Sequence, residues 1–343
     1  MELFAAGCNA WNQLSFKNLD LHSSATLDHP EEDEPHDLFS FTKVLEGREI
    51  GKPIGRLSYT IARRDGALLV SGFGLPDQGP SSLEFLSTSV ETATGEALVL
   101  DAGSANPGGL RKYPSFTSWR TGRLAAPPLP CDVPVTQMAA FDTGFAVLHQ
   151  DGTVSTFGDP RFESSLGRDV SPECPAHTPA PVPDLSDLDD PVTHIAAGGL
   201  CVAALTRSGA VYVWGTSSAG THRRRQPFPS VGGVPNYVPV DGDKDVRDVA
   251  LGDSHAIALT ADGCVYVIGD NGNGQLGLAG TAGGEGQGQG QGQCVDVDVV
   301  KRVEEWTRVP FEVSSGSEVV GVAAGPKASF IITSRKTEAS QAS

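Results

Sequence analysis

Apolar residues fall along this chain in short runs, each stopped by a glycine. Residues 246–277 show the unit in full, VRDVALGDSHAIALTADGCVYVIGDNGNGQLG. One apolar run ends at Gly252, a second ends at Thr260, Asp262-Gly263 turns the chain, and a third run ends at Gly269 before a glycine-rich tail. The same order recurs in residues 193–215 (THIAAGGLCVAALTRSGAVYVWG), in 136–158 (TQMAAFDTGFAVLHQDGTVSTFG) and, in part, in 56–74. Each copy predicts three antiparallel strands. The turns Asp65-Gly66, Asp151-Gly152, Ser208-Gly209 and Asp262-Gly263 suit type I′ geometry, which matches strand twist. In CVYVI (264–268) both alternating faces are apolar, the pattern of a strand covered on both sides. Segments 37–45, 237–240 and 306–313 read as fourth, outer strands. Helical periodicity is nowhere sustained.

Repeat spacing sets the architecture. Gly152 to Gly209 is 57 residues and Gly209 to Gly263 is 54, so a chain of 343 residues holds roughly six such units. The interval from Gly66 to Gly152 is too long for one repeat and short for two. Thr94-Gly95 and Thr121-Gly122 offer turns within it, beside strand-like ALVL and SFTSW, so residues 74–134 hold one or more diverged units. Long polar pieces at about 15–36, 159–177, 216–236 and 278–305 leave the repeats just after the third strand. They are expected to be mobile insertions crowded on one face, and residues 335–343 a disordered tail. The stretch GEGQGQGQGQ (284–293) is low in complexity.

One repeat is split between the two ends. Residues 3–14, LFAAGCNAWNQL, align without gaps on the second half of the internal copy: Gly7 on Gly269, Asn9 on Asn271, Gln13 on Gln275, Leu14 on Leu276. Residues 322–333, VAAGPKASFIIT, align on 249–260. Two halves of one unit at opposite ends predict that the ends share a blade, which removes exposed strand edges by closing a ring. The expected fold is all-β: a β-propeller of six to seven blades, one domain over residues 1–343.

Composition agrees. With 41 Gly and 24 Pro the chain suits many short strands and tight turns. No apolar run is long enough to span a bilayer, and MELFAAGCNA lacks a basic region before an apolar core, so neither a membrane partner nor a secretory signal is expected. Six scattered cysteines without a C-x-x-C pair fit a reducing compartment, nucleus or cytoplasm. Cys8, Cys201 and Cys264 read as small buried apolar residues. A net charge of −17 argues against general nucleic-acid binding while leaving basic protein partners open.

The pattern V-x-x-(V/I)-A-x-G-x-x-H-x-x-A-L-T-x-D-G-x-V-Y-x-(W/I)-G-x-N-x-x-G-Q-L-G resembles the repeat of the regulator of chromosome condensation family. Residues 246–277 match almost throughout and 193–215 match well. Residues 136–158 and the two terminal halves match in part, and 74–134 do not. The resemblance is to a short, single-propeller member. It implies seven blades, closure by a strand from the opposite end, and a role among nucleotide exchange on a small GTPase, chromatin attachment, scaffolding, or the substrate side of a ubiquitin ligase. Fold does not choose among these.

Candidate sites are few. His255 is matched in the other copies by Ser58, Gly144, Cys201 and Ala328, which marks a packing or hydrogen-bonding position. No nucleophile–base arrangement stands out, so no catalytic residue is assigned. Asp241, Asp243 and Asp245 imitate the start of a calcium loop, but Val246 and Gly252 stand where it needs Gly and Glu. His22, His29 and His36 lie in a polar loop with carboxylates, which reads as solvated rather than as a metal site. No metal or cofactor is assigned. Candidate partner-binding residues are Arg223, Arg224 and Arg225, able to pair with phosphate or carboxylate, and Glu31, Glu32, Asp33 and Glu34, able to meet a Lys/Arg-rich segment. Trp214 reads as core, while Trp11 and Trp306 are possible exposed anchors. The reading is a non-enzymatic, monomeric scaffold binding histone or chromatin proteins through loops on one face. The alternative is a guanine-nucleotide exchange factor or regulator of a small GTPase.

Overall fold

A computed structural model describes residues 1–16, 34–74, 88–101, 109–122, 127–129, 131–216, 226–279 and 300–336. The described residues form an all-β propeller of six antiparallel sheets, four with four strands and two with three. Six is the number the repeat spacing gives, rather than the seven favoured by the resemblance. Two compact units divide the chain: Met1–Gly74 with His255–Ser343, and Leu75–Ser254.

The first unit contains the blade built from both ends. Glu2–Gly7 lies between Leu38–Glu46 and Ala328–Arg335, with Ser317–Gly325 beyond. The register pairs Leu3 with Ile332 and Gly7 with Ala328. Leu3, Ala5, Leu14, Phe16, Leu45, Phe330 and Ile332 pack in its core. Gly7 is required where the two ends meet: its φ is +127°, and a Cβ there would lie 2.3 Å from the Lys327 carbonyl oxygen. The unit also holds Ile54–Gly55, Tyr59–Arg64 and Ala67–Gly72, and the strands His255–Thr260, Val265–Asp270 and Arg302–Arg308.

The second unit carries the diverged blade (Ser89–Glu91, Ala97–Asp101, Gly109–Tyr113), two four-stranded blades and the strand Val246–Leu251. Its blades are stitched by one repeated position on successive first strands. Gln137 accepts from the Ile195 amide at 3.0 Å and donates to the Ile195 carbonyl at 2.8 Å. His194, the aligned residue of the next blade, reaches the Val249 carbonyl at 3.0 Å and Asp248 at 3.6 Å.

Four expectations need correction. Only Asp65-Gly66 has positive φ at both turn residues. At Asp151-Gly152, Ser208-Gly209 and Asp262-Gly263 only the glycine is left-handed, the form of a type I turn followed by a bulge. The Asp151 and Asp262 side chains cause it, accepting from Thr153 N at 2.9 Å and Cys264 N at 3.2 Å. SFTSW is no strand: Phe116–Arg120 is a helix capped by Ser115, which accepts from Ser118 N at 3.2 Å. Outer strands are Leu38–Glu46, Asn236–Tyr237 and Arg302–Arg308, so the last begins earlier than 306–313. Cys264 is half-exposed in its turn, while Cys8 and Cys201 are buried.

Residues 159–177 carry a 3-10 helix, Pro160–Ser165, and then Arg168. The Arg168 side chain is buried and donates to the carbonyls of Thr156, Cys174, Pro175 and Thr178 at 3.0–3.3 Å. Five donors of one guanidinium thus hold a loop that has no strand ladder of its own.

Candidate partner-binding surface

The glycine-rich tail of the repeat occurs twice in the first unit, and both copies fold alike. In the internal copy Asn271 Oδ1 accepts from Leu276 N at 2.9 Å, and Gln275 Oε1 accepts from Asn273 N at 2.9 Å. In the terminal copy Asn9 Oδ1 accepts from Leu14 N at 2.9 Å, and Gln13 Oε1 accepts from Trp11 N at 2.8 Å. Each asparagine also reaches the residues before its own outer strand. Asn271 Nδ2 donates to the Val300 carbonyl at 2.9 Å, and Asn9 Nδ2 to the His36 carbonyl at 3.3 Å. All four amide residues are buried. Burial makes an unpaired backbone amide costly, so these side chains serve the turn rather than a ligand. Asp37 joins the copies: one oxygen accepts from Asn9 N and the other from Asn273 Nδ2, each at 2.9 Å.

The copies differ where the side chain leaves the turn. Asn273 is half-buried and tied to Asp37. Trp11, its counterpart, is 51% exposed and stacks on Phe73, 71% exposed, with ring centroids 6.4 Å apart and planes at 20°. Leu57, 55% exposed, has its carbonyl held by Gln13 Nε2 at 3.0 Å. Ser71 Oγ donates to the Asn12 and Ser15 carbonyls at 2.6 and 2.5 Å. An exposed aromatic pair therefore stands on a backbone fixed from beneath. The exposure of Trp11 was legible in the sequence. Phe73 and Leu57 were not, because the stacking of Phe73 on Trp11 and the bond from Gln13 to the Leu57 carbonyl depend on the fold.

Other sequence candidates fall elsewhere. Arg223, Arg224, Arg225, Glu31, Glu32 and Asp33 lie outside the described residues, as do His22 and His29. Glu34 is exposed. Asp241 pairs with Lys244 at 3.0 Å, and Asp243 accepts from the Tyr237 hydroxyl. Among the described residues no group of three His, Cys, Asp or Glu could hold a metal ion. Trp214 is fully buried and donates to the Ser165 carbonyl at 3.2 Å. Trp306 is half-buried.

His255 is fully buried, and its Nε2 lies 3.3 Å from the Ala328 carbonyl. Burial lowers its pKa to about 4. At neutral pH it is a neutral donor from its own sheet to the strand Ala328–Arg335 of another. Burial likewise pushes the aligned Cys201 thiol up to about 12. Sequence reading missed His149, which contacts Ser155 Oγ at 3.0 Å and the Val133 carbonyl at 3.1 Å. Both side chains are buried, so this pair serves the blade interior.

Residues 246–275 match the regulator of chromosome condensation (RCC1) repeat. The human Regulator of chromosome condensation is 32% identical over 197 residues, 54% of this chain and 42% of that protein. The chain carries an RCC1-type repeat and is similar to this relative over about half of its own length. The human E3 ubiquitin-protein ligase HERC2 is 36% identical to this RCC1-like chain over 130 residues, 38% of it and 2% of the ligase. The chain thus spans under half the length of the curated relatives it matches. Among solved structures, human WBSCR16 superposes with a TM-score of 0.63 at 16% identity, covering 98% of this chain and 99% of that one. Prp20p from Saccharomyces cerevisiae, described with its binding to Gsp1p and histones, gives 0.55 at 12% identity, covering 98% and 92%. At these identities the likeness shows the fold.

Proposed function

We propose that this RCC1-like propeller is a non-enzymatic scaffold that binds protein partners through side chains and loops clustered on one face, in a chromatin-linked, nuclear setting. The observation that carries this reading is the exposed Trp11–Phe73 pair on a hydrogen-bonded turn. Interface anchors are typically aromatic and held in place beforehand. Support for chromatin partners comes from the human Regulator of chromosome condensation and from Prp20p, whose described binding includes histones. The net charge of −17 suits basic proteins and opposes general affinity for nucleic acid. Arg223, Arg224, Arg225, Glu31, Glu32, Asp33 and Glu34 are the charged residues proposed to contribute.

A second reading, regulation of a small GTPase as an exchange factor, is favoured by the sequence likeness to the Regulator of chromosome condensation itself. The deciding experiment is affinity capture from the native extract at about 0.15 M salt, a screening condition near physiological. Histones or chromatin proteins as main partners support the scaffold. A small GTPase retained best without nucleotide replaces it with the exchange-factor reading.

A further inference from the structure

We propose that Trp11, Phe73 and Leu57 form a docking surface for a Lys/Arg-bearing peptide segment of a partner. The inference rests on the scaffold reading and names the chemistry of its partner. Four observations lead to it.

The first is exposure without structural need. Trp11 and Phe73 stack on each other at the surface, and Leu57 is also more than half exposed. The internal copy builds the same turn with Asn273 in place of Trp11. Turn formation therefore does not call for an indole at this position.

The second is rigidity. Gln13 fixes both the Trp11 amide and the Leu57 carbonyl, and Ser71 holds the Asn12 and Ser15 carbonyls. Phe73 N donates to the Ser58 carbonyl at 2.8 Å. Aromatic groups already set in place lose little conformational entropy when a partner binds.

The third is charge. The chain carries a net charge of −17, and the exposed Glu34 and half-buried Asp37 lie just before the strand Leu38–Glu46. Asp37 is bonded to Asn9, two residues from Trp11. Arg56, beside Leu57, already has a partner in the chain. An acidic approach to an exposed aromatic face selects a cation.

The fourth is the chemistry of stacked rings. The faces of Trp and Phe attract ammonium and guanidinium groups, and guanidinium planes stack on indole. Leu57 offers an apolar seat for the methylene stem of a Lys or Arg side chain.

The test uses the full chain, with fluorescence anisotropy of a short labelled peptide of Lys, Arg, Gly and Ser and an acidic counterpart as control. The expected result is saturable binding of the basic peptide alone. Trp11→Ala/Phe73→Ala should weaken it by about tenfold or more, the scale of an interface anchor. Its melting temperature should be unchanged, and Trp11→Phe/Phe73→Tyr should retain most of the affinity. Equal affinity in the Ala variant overturns the proposal, as does absence of basic-peptide binding by the wild type. A concentration-dependent dimer lost in the Ala variant overturns it in favour of a second copy as occupant. Protection of residues 75–87 from proteolysis that requires both rings overturns it in favour of the chain's own segment. Failure here is separable from failure of the scaffold reading. A captured partner retained equally by wild type and Ala variant removes this surface but keeps the scaffold, whereas no captured partner removes the scaffold itself.

Discussion

The two copies of the glycine-rich turn, at Gly7–Leu14 and Gly269–Leu276, have the same skeleton and different surfaces. Gly7 and Gly269 both have positive φ, as do Asn12 and Gly274. The asparagine and glutamine of each copy bond the same relative amides at nearly equal distances. What changes is the residue across from the leading glycine and the residue at the tip. Gly269 pairs with His255 and carries Asn273 after it, while Gly7 pairs with Ala328 and carries Trp11. Residues serving backbone amides recur because the turn has no other way to satisfy them. Residues facing outward are free to take up other work.

The most drastic break is to remove residues 1–14. Glu2–Gly7 is an inner strand of its sheet, bonded to Leu38–Glu46 on one side and Ala328–Arg335 on the other. Its loss leaves two unpaired ladders and an open core around Phe330. Folding should fail or fall by most of the roughly 5–15 kcal/mol available to a domain. Circular dichroism melting checks this, and a truncated chain melting like the whole one would sink the shared-blade argument. A point change reaches the same seam. Gly7→Ala puts a methyl against the Lys327 carbonyl in a left-handed backbone, so a loss of more than about 3 kcal/mol is expected by denaturant titration.

His255 and Ala328 give the next test. A buried imidazole with a pKa of about 4 folded, against 6.5 unfolded, favours the neutral form in the native state. The unfolded chain therefore binds more protons between those values. Stability from this group is complete above pH 6.5, is lost as pH falls toward about 4, and changes no further below. The loss is on the order of 3 kcal/mol across the window. His255→Gln retains a donor for the Ala328 carbonyl and removes the titration. The variant should lose less stability than wild type between pH 7 and pH 4.5, endpoints chosen to span the roughly unit-wide titrations. Parallel melting curves would show that the imidazole does not titrate as its burial implies.

Much of the skeleton could be read directly from residue order. The split repeat placed residues 3–14 beside 322–333, and the glycine spacing gave six blades, because a repeated core leaves a repeated apolar pattern. SFTSW was misread because Ser and Thr suit both a strand edge and a helix cap, and only Ser115 accepting from Ser118 N decides between them. The type I turns were misjudged because an Asp side chain can organise the turn itself, which a dipeptide rule ignores. The surface was only half legible. Trp11 stood out as an aromatic in a polar turn, but nothing in the order of residues brings Phe73 to it or the Leu57 carbonyl to Gln13.

The buried amides should respond equally in both copies. Asn9→Ala and Asn271→Ala each remove the acceptor for one buried amide, Leu14 N or Leu276 N. Each should cost about 2 kcal/mol by urea denaturation. A large inequality would mean that the two turns carry unequal shares of the fold.

The smallest expected effect is the most informative about function. Trp11→Asn writes the tip of the internal copy into the terminal one. If the skeleton is independent of the tip, the Trp11 amide bond to Gln13 survives as the Asn273 bond to Gln275 does. Stability should then stay within about 0.5 kcal/mol of wild type, the range of an ordinary surface substitution. The emission spectrum should lose its most solvent-exposed tryptophan component, leaving mainly the buried Trp214 and half-buried Trp306 and Trp119. A larger loss of stability would show that the indole supports the turn through Phe73, which would make the aromatic pair part of the fold. An unchanged melt with a changed spectrum would leave the indole with no structural duty, and its exposure would then have to be explained by what binds it.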